Sequence, residues 1–325
     1  MVAAPLGRLL RVDPRAIWKH EAHDFTPWLV ENIDMLGETL GMELEVIDRE
    51  GDVGDFSVDI LARDLGRDRV VVIENQLEAT DHSHLGQLIT YAAGLDATIV
   101  IWVSREFREE HRQALDWLNR GDGAETEFFG VVLELLQIDD SKPAVSFRLA
   151  ASPNNWARRS KRGAVGGTGE ELSSKRSAYQ EFFQHLIDEL RDQHRFTNAR
   201  AGQPQNWYSF STGTRGFQYG MSFANGSQLR VEIYIDTGDR AKNERAYARL
   251  IADRETIEKE VGEPLRWEAL EGKRGCRVAC YAPGSIEDPA EAHEQYRRWA
   301  IQHLLKFKKV FGARLLVIAS STEGS

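Results

Sequence analysis

Hydrophobic positions in the first 150 residues change period several times. Over residues 27–40, Trp28, Leu29, Ile33, Leu36 and Leu40 recur at helical spacing, with Thr26 as cap, Pro27 at the first helical position and Gly41 as terminator. The stretch MELEVID then alternates as a strand, and FSVDILA (residues 56–62) alternates again, with Phe56, Val58 and Ile60 on one face. A turn around Gly66 leads to residues 69–73, a continuous apolar run of the kind expected of a strand covered on both faces. Residues 85–93 read as a helix started by Asp81 or Ser83, 98–103 as a buried strand, 105–118 as an amphipathic helix and 130–138 as a further strand. Helix, three strands, helix, strand, helix, strand predicts an α/β domain: a mixed sheet flanked by helices.

The pattern lapses at residues 156–176, WARRSKRGAVGGTGEELSSKR, which are rich in Gly, Ser and basic side chains and poor in large apolar ones. The chain therefore reads as a domain over residues 1–150, a basic linker over 151–176 and a second domain over 177–325. The second domain predicts helices at 177–194, 243–261 and 289–311, and strands at 207–211, 217–224, 229–236, 265–270 and 276–281. Asn225-Gly226 marks a hairpin turn, and the mixture is α+β.

Charge sharpens this division. Residues 1–150 carry 14 Lys and Arg against 29 Asp and Glu, a net of −15; the remainder carries 27 against 22, a net of +5. A polyanion would be held by the second half, or else the basic residues simply solvate the surface. The cluster Arg158, Arg159, Lys161 and Arg162 carries the same two readings, nucleic-acid contact or solubility. Only Cys276 and Cys280 are present, which argues against a disulfide scaffold and for a reducing, cytoplasmic setting. No apolar run approaches the ~18–20 residues of a membrane helix, and no signal peptide is expected at the start.

The chemistry concentrates where the third strand turns polar, at Glu74, Asn75 and Gln76. Glu74 and Gln76 are two apart on a strand and share a face. The turn at Gly66 would pair strands two and three and bring Asp59 beside Glu74, with Glu31 approaching from the preceding helix. Converging carboxylates repel one another and are costly to desolvate unless a cation lies between them. A hard dication such as Mg²⁺ takes one or two carboxylates together with waters and substrate phosphate. Gln87 and Tyr91 follow one helical turn apart, so both can face the same place.

These residues resemble the PD-(D/E)XK nuclease superfamily, in its RecB-like branch, over roughly residues 20–140. The resemblance implies a restriction-endonuclease-like αβββαβ core. It assigns Glu31 to the helix Glu, Asp59 to the strand Asp, Glu74 to the second acid, Gln76 to the position of the Lys, and Gln87 and Tyr91 to the QxxxY pair. It also implies metal-dependent hydrolysis of DNA, with Asp59 and Glu74 binding Mg²⁺ or Mn²⁺ and Gln76 positioning the attacking water. Gln76 is the departure, because a neutral amide cannot supply the charge of the Lys. Over nearly its whole length the chain also looks like a bacterial group that joins such a domain to a C-terminal domain of unknown function. From this company follow the expectations of a cytoplasmic homodimer and of defence against phage or other foreign DNA.

Other residues admit two readings. His84, with Asp81 and His82, suits either an auxiliary metal or proton-shuttle role or a cap and loop contacts at a helix start. Trp207, Tyr208, Phe210, Phe217 and Arg215 suit base stacking or a core. Arg297, Arg298, Lys306, Lys308 and Lys309 make the last helix basic. Cys276 and Cys280 read as buried apolar residues. The function that follows is a nuclease or, alternatively, a catalytically degenerate module that binds nucleic acid or a partner protein.

Overall fold

The computed structural model describes residues 6–53, 56–120, 126–153 and 170–322. Apart from the turn Leu65–Arg67, contacts group the chain into a first unit ending at Arg158 and a second beginning at Arg159. The basic cluster Arg158, Arg159, Lys161 and Arg162 lies outside the described residues, as does most of the expected linker.

The first unit opens with strand β1 (Leu9–Val12), a short 3-10 turn and a π-helical turn, Glu21–Phe25. Two short helices follow, α1 (Thr26–Glu31) and α2 (Ile33–Leu40), where the sequence predicts one. The interruption is Asn32, whose backbone leaves the helical region at φ −119°, ψ 32° and whose side-chain amide donates to the Trp28 carbonyl at 2.8 Å. Gly41 closes α2 in the left-handed conformation at φ 62°, which costs a residue without Cβ little.

Strands β2 (Leu44–Val53), β3 (Phe56–Asp64) and β4 (Arg69–Ala79) form an antiparallel meander. Helix α3 (His82–Gly94) crosses to β5 (Ile99–Glu106), which runs parallel to β4; helix α4 (Glu109–Leu118) crosses to β6 (Glu127–Ile138), parallel to β5. The sequence does not predict β1 or β7 (Ala144–Ala151), both of which pair antiparallel with β6. The result is a seven-stranded mixed sheet, in the order β1-β6-β5-β4-β3-β2 with β7 also on β6. One face packs Ile60, Val71, Ile73, Ile99, Ile101 and Phe129 with Leu29, Leu36 and Leu40 of α1 and α2. The other packs Val100, Trp102 and Phe128 with Leu88 and Ala92 of α3 and Leu115 of α4. Burial on both faces explains why these strands read as continuous apolar runs.

The second unit is α+β. Its five-stranded antiparallel sheet takes the order β11-β12-β10-β9-β8, from β8 (Trp207–Ser211), β9 (Phe217–Ala224), β10 (Gln228–Ile235), β11 (Arg266–Glu268) and β12 (Cys276–Pro283). Its helices are α5 (Glu170–Asp192), α6 (Arg240–Ala252), α7 (Arg254–Val261) and α8 (Ala290–Thr322). The single helix predicted over 243–261 is divided at Asp253, and the last helix runs eleven residues past the predicted end at Phe311. Tyr208, Phe210 and Phe217 are buried in this unit's core, with Cys276 and Cys280. No helix among the described residues is long and apolar enough to cross a membrane.

Candidate active site

The ladder between β3 and β4 ends at Ile60 opposite Ile73, while β4 continues for six further residues. Beyond that point the edge of β4 still presents backbone N–H groups, and buried donors need acceptors. Two carboxylates supply them. Asp59 Oδ2 accepts from the backbone N–H of Asn75 at 2.9 Å and from its side-chain amide at 2.8 Å. Glu21 Oε2 accepts from the backbone N–H of Leu77 at 2.5 Å. Thr26 in turn donates to the side-chain amide oxygen of Asn75 at 3.2 Å, fastening α1 to the strand. The polar residues after Ile73 therefore do not end the strand; they mark the edge where side chains replace a neighbouring strand.

Glu74, beside Asp59, is 5% exposed. No hydrogen-bond partner reaches its Oε2. Burial, the neighbouring Asp59 charge and then that of Glu21 push its carboxyl up to about 9, against some relief from a backbone hydrogen bond. Tyr91, 2% exposed on α3, feels the same two strand acids: burial, Glu74 and Asp59 raise its phenol above the usual range. Gln87 is half-buried one turn earlier on that helix.

Glu31 is exposed at the last position of α1, while Glu21, in the π-helical turn, is the acid whose charge acts on Glu74 and whose Oε2 binds β4. Sequence reasoning missed Glu21 because its segment, WKHEAHDF, has no helical period to orient it. A density of acids just before the first helix was the only signal.

Gln76 is anchored on both sides of its amide: its Oε1 accepts from the Trp102 indole at 2.9 Å, and its Nε2 donates to the Ala79 carbonyl at 2.9 Å and to Asp81 Oδ2 at 3.3 Å. Both amide hydrogens are engaged, and the carbonyl oxygen keeps a second lone pair. Asp81 caps α3 through the His84 backbone N–H at 2.9 Å, and its Oδ2 also meets His84 Nδ1 at 2.8 Å. Burial opposes ionisation of Asp81, but these bonds from His84 and Gln76 outweigh it and hold the carboxyl at about 2. His82 is exposed and meets the buried ring of His111 edge-on, at 4.8 Å between centroids.

Among the described residues, no group of three or more His, Cys, Asp or Glu side chains is placed to hold a metal ion. Two carboxylates, one with a buried oxygen lacking any partner, fit an ion of the Mg²⁺ type that retains waters.

Against known proteins, residues 178–315 match the model of a family described as a domain of unknown function, DUF4268. No curated protein matches the chain. Among solved structures it is similar to a crystal structure of a repair endonuclease from Pyrococcus abyssi, at 18% identity and a TM-score of 0.27, over 31% of this chain and 44% of that one.

Proposed function

We propose that the chain is a metal-dependent nuclease hydrolysing DNA phosphodiester bonds, with Asp59 and Glu74 holding Mg²⁺ or Mn²⁺. Glu74 carries this reading. A carboxylate buried beside a second acid, with one oxygen unpartnered, requires either a proton or a cation at neutral pH. The chemistry such an ion supplies is neutralisation of phosphate charge and acidification of water. The chain's own residues set the geometry. Asn75 clamps Asp59 and Glu21 closes the edge of β4; Gln87 and Tyr91 of α3 are the residues we assign to the phosphate. The setting we assign is a cytoplasmic homodimer acting on foreign DNA, with the basic second half contacting substrate.

The test incubates purified protein with linear, supercoiled and single-stranded DNA, and with RNA, in Mg²⁺, Mn²⁺ or EDTA. Asp59→Ala and Glu74→Ala proteins are run alongside. Metal-dependent DNA cleavage, lost in both variants while their melting stays cooperative, is the expected result. Cleavage confined to RNA would reassign the substrate, and cleavage unaffected by either variant would remove the site.

A second reading is favoured by Gln76, whose amide is spent on Trp102, Ala79 and Asp81 where an ammonium would otherwise stand. On that reading the chain is a nucleic-acid- or partner-binding module. Binding that survives Asp59→Ala and Glu74→Ala, without cleavage by the unaltered protein, would select it.

A further inference from the structure

A nuclease without the Lys needs another group to take the proton from its attacking water, and the hydrogen bonds leading away from Gln76 end on one. Gln76 donates to Asp81 Oδ2, and the same oxygen meets His84 Nδ1. Ionised Asp81 can only accept, so Nδ1 carries the hydrogen and the lone pair falls on Nε2. A quarter of the His84 side chain is exposed, so that nitrogen is accessible. His84, Gln87 and Tyr91 follow one another at helical spacing along a single face of α3. Tyr91, at the far end of that face, lies in the field of Glu74 and Asp59. Seven residues of helix span about 10 Å, a distance that brackets one phosphate group. Glu74, 5% exposed and with Oε2 unpartnered, is the strand acid whose charge acts on Tyr91.

We propose that His84 is the general base of this site, with Asp81, Gln76 and Trp102 as the positioning residues that hold its ring. This rests on the nuclease reading above. The water oxygen forms its bond to phosphorus as its proton passes to His84 Nε2. The bond from phosphorus to the departing ester oxygen breaks, and that oxygen takes a proton from solvent. The imidazolium then returns its proton to solvent. Base, carboxylate and a third group orienting the carboxylate form the arrangement that activates nucleophiles in unrelated enzymes. The titratable group that meets the ring is Asp81, at 2.8 Å from Nδ1; the nearby α4 residue His111 lies in the field of His82, Arg108, Glu110 and Asp81.

The experiment measures kcat and KM from pH 5 to 9 for unaltered protein, His84→Gln, His84→Ala, Asp81→Asn and Glu74→Ala, with melting curves for each. His84→Gln is expected to lower kcat about 10²-fold with KM held, and to abolish the acidic limb of the profile. Added imidazole should restore part of the His84→Ala rate, which a merely structural role would not allow. Asp81→Asn should lower kcat and change the midpoint of that limb. Cleavage that is lost in Glu74→Ala but keeps its rate and acidic limb in His84→Gln overturns this inference and leaves the nuclease reading standing. No cleavage by the unaltered protein in either metal overturns both.

Discussion

At Glu74, burial and the adjacent charge of Asp59 act in the same direction, and both favour the protonated acid. A carboxyl raised in the folded chain binds its proton more tightly there than in the unfolded chain. Its contribution to stability is therefore full below the ordinary value near 4.5 and is lost as pH rises toward about 9. In EDTA the melting temperature of the first unit should fall over that window. Glu74→Gln should flatten the decline and raise Tm at pH 8, by about 2–4 °C for each kcal/mol relieved. Mg²⁺ or Mn²⁺ should raise Tm of the unaltered protein at pH 8 and leave Glu74→Gln unmoved; equal shifts in both would count against the assigned ligands. Gln76 leads to a less intuitive expectation. Restoring an ammonium by Gln76→Lys would strip the buried Trp102 indole of its acceptor, which costs about 1–3 kcal/mol. Urea unfolding of that variant should show the loss; an unchanged midpoint would mean the indole finds another acceptor.

The elements show what the sequence made legible and what it did not. Strands β3, β4 and β5 and helix α3 were readable, because burial on one or two faces imposes a period or an unbroken apolar run. Asp59, Glu74, Gln76 and Tyr91 were legible as neighbours because strand pairing and the α3 crossover follow from that pattern. The lengths of the elements were not. Strand β4 runs on through Glu74, Asn75 and Gln76 in its ladder with β5, while side chains from Asp59 and Glu21 satisfy its other edge, and such long-range bonds leave no local trace. The first helix is divided by the Asn32 amide competing for the Trp28 carbonyl, an interaction that a helical wheel cannot register. The π-helical turn that delivers Glu21 has no sequence period of its own, so nothing local marks that acid. Asp81 is both cap and ring partner, so Asp81→Ala should cost about 1 kcal/mol through the cap alone. Asp81→Asn can still accept at that cap and should cost less; comparing the two by urea unfolding separates helix stability from ring placement.

Each unit carries its own core, one built on Ile73, Ile101 and Phe129 and the other on Phe210, Val231 and Phe307. Residues 1–153 and 170–325, expressed separately, should each give a cooperative melt, and a non-cooperative transition in either would show that its core is incomplete alone. The net charges of −15 and +5 divide at residue 150, and Arg158, Arg159, Lys161 and Arg162 belong to the positive half. If that half holds DNA, retention on immobilised DNA should follow residues 151–325 and weaken steeply with salt. Finally, the two thiols on β12 amount to a timer. Burial keeps both in the core and pushes the Cys280 thiol up to about 12, so neither reacts as a thiolate while the sheet is closed. At pH 8 alkylation can proceed only as often as that strand peels away. The rate of reagent uptake therefore counts openings of the second unit in folded molecules, without denaturant and independently of anything that happens at Glu74.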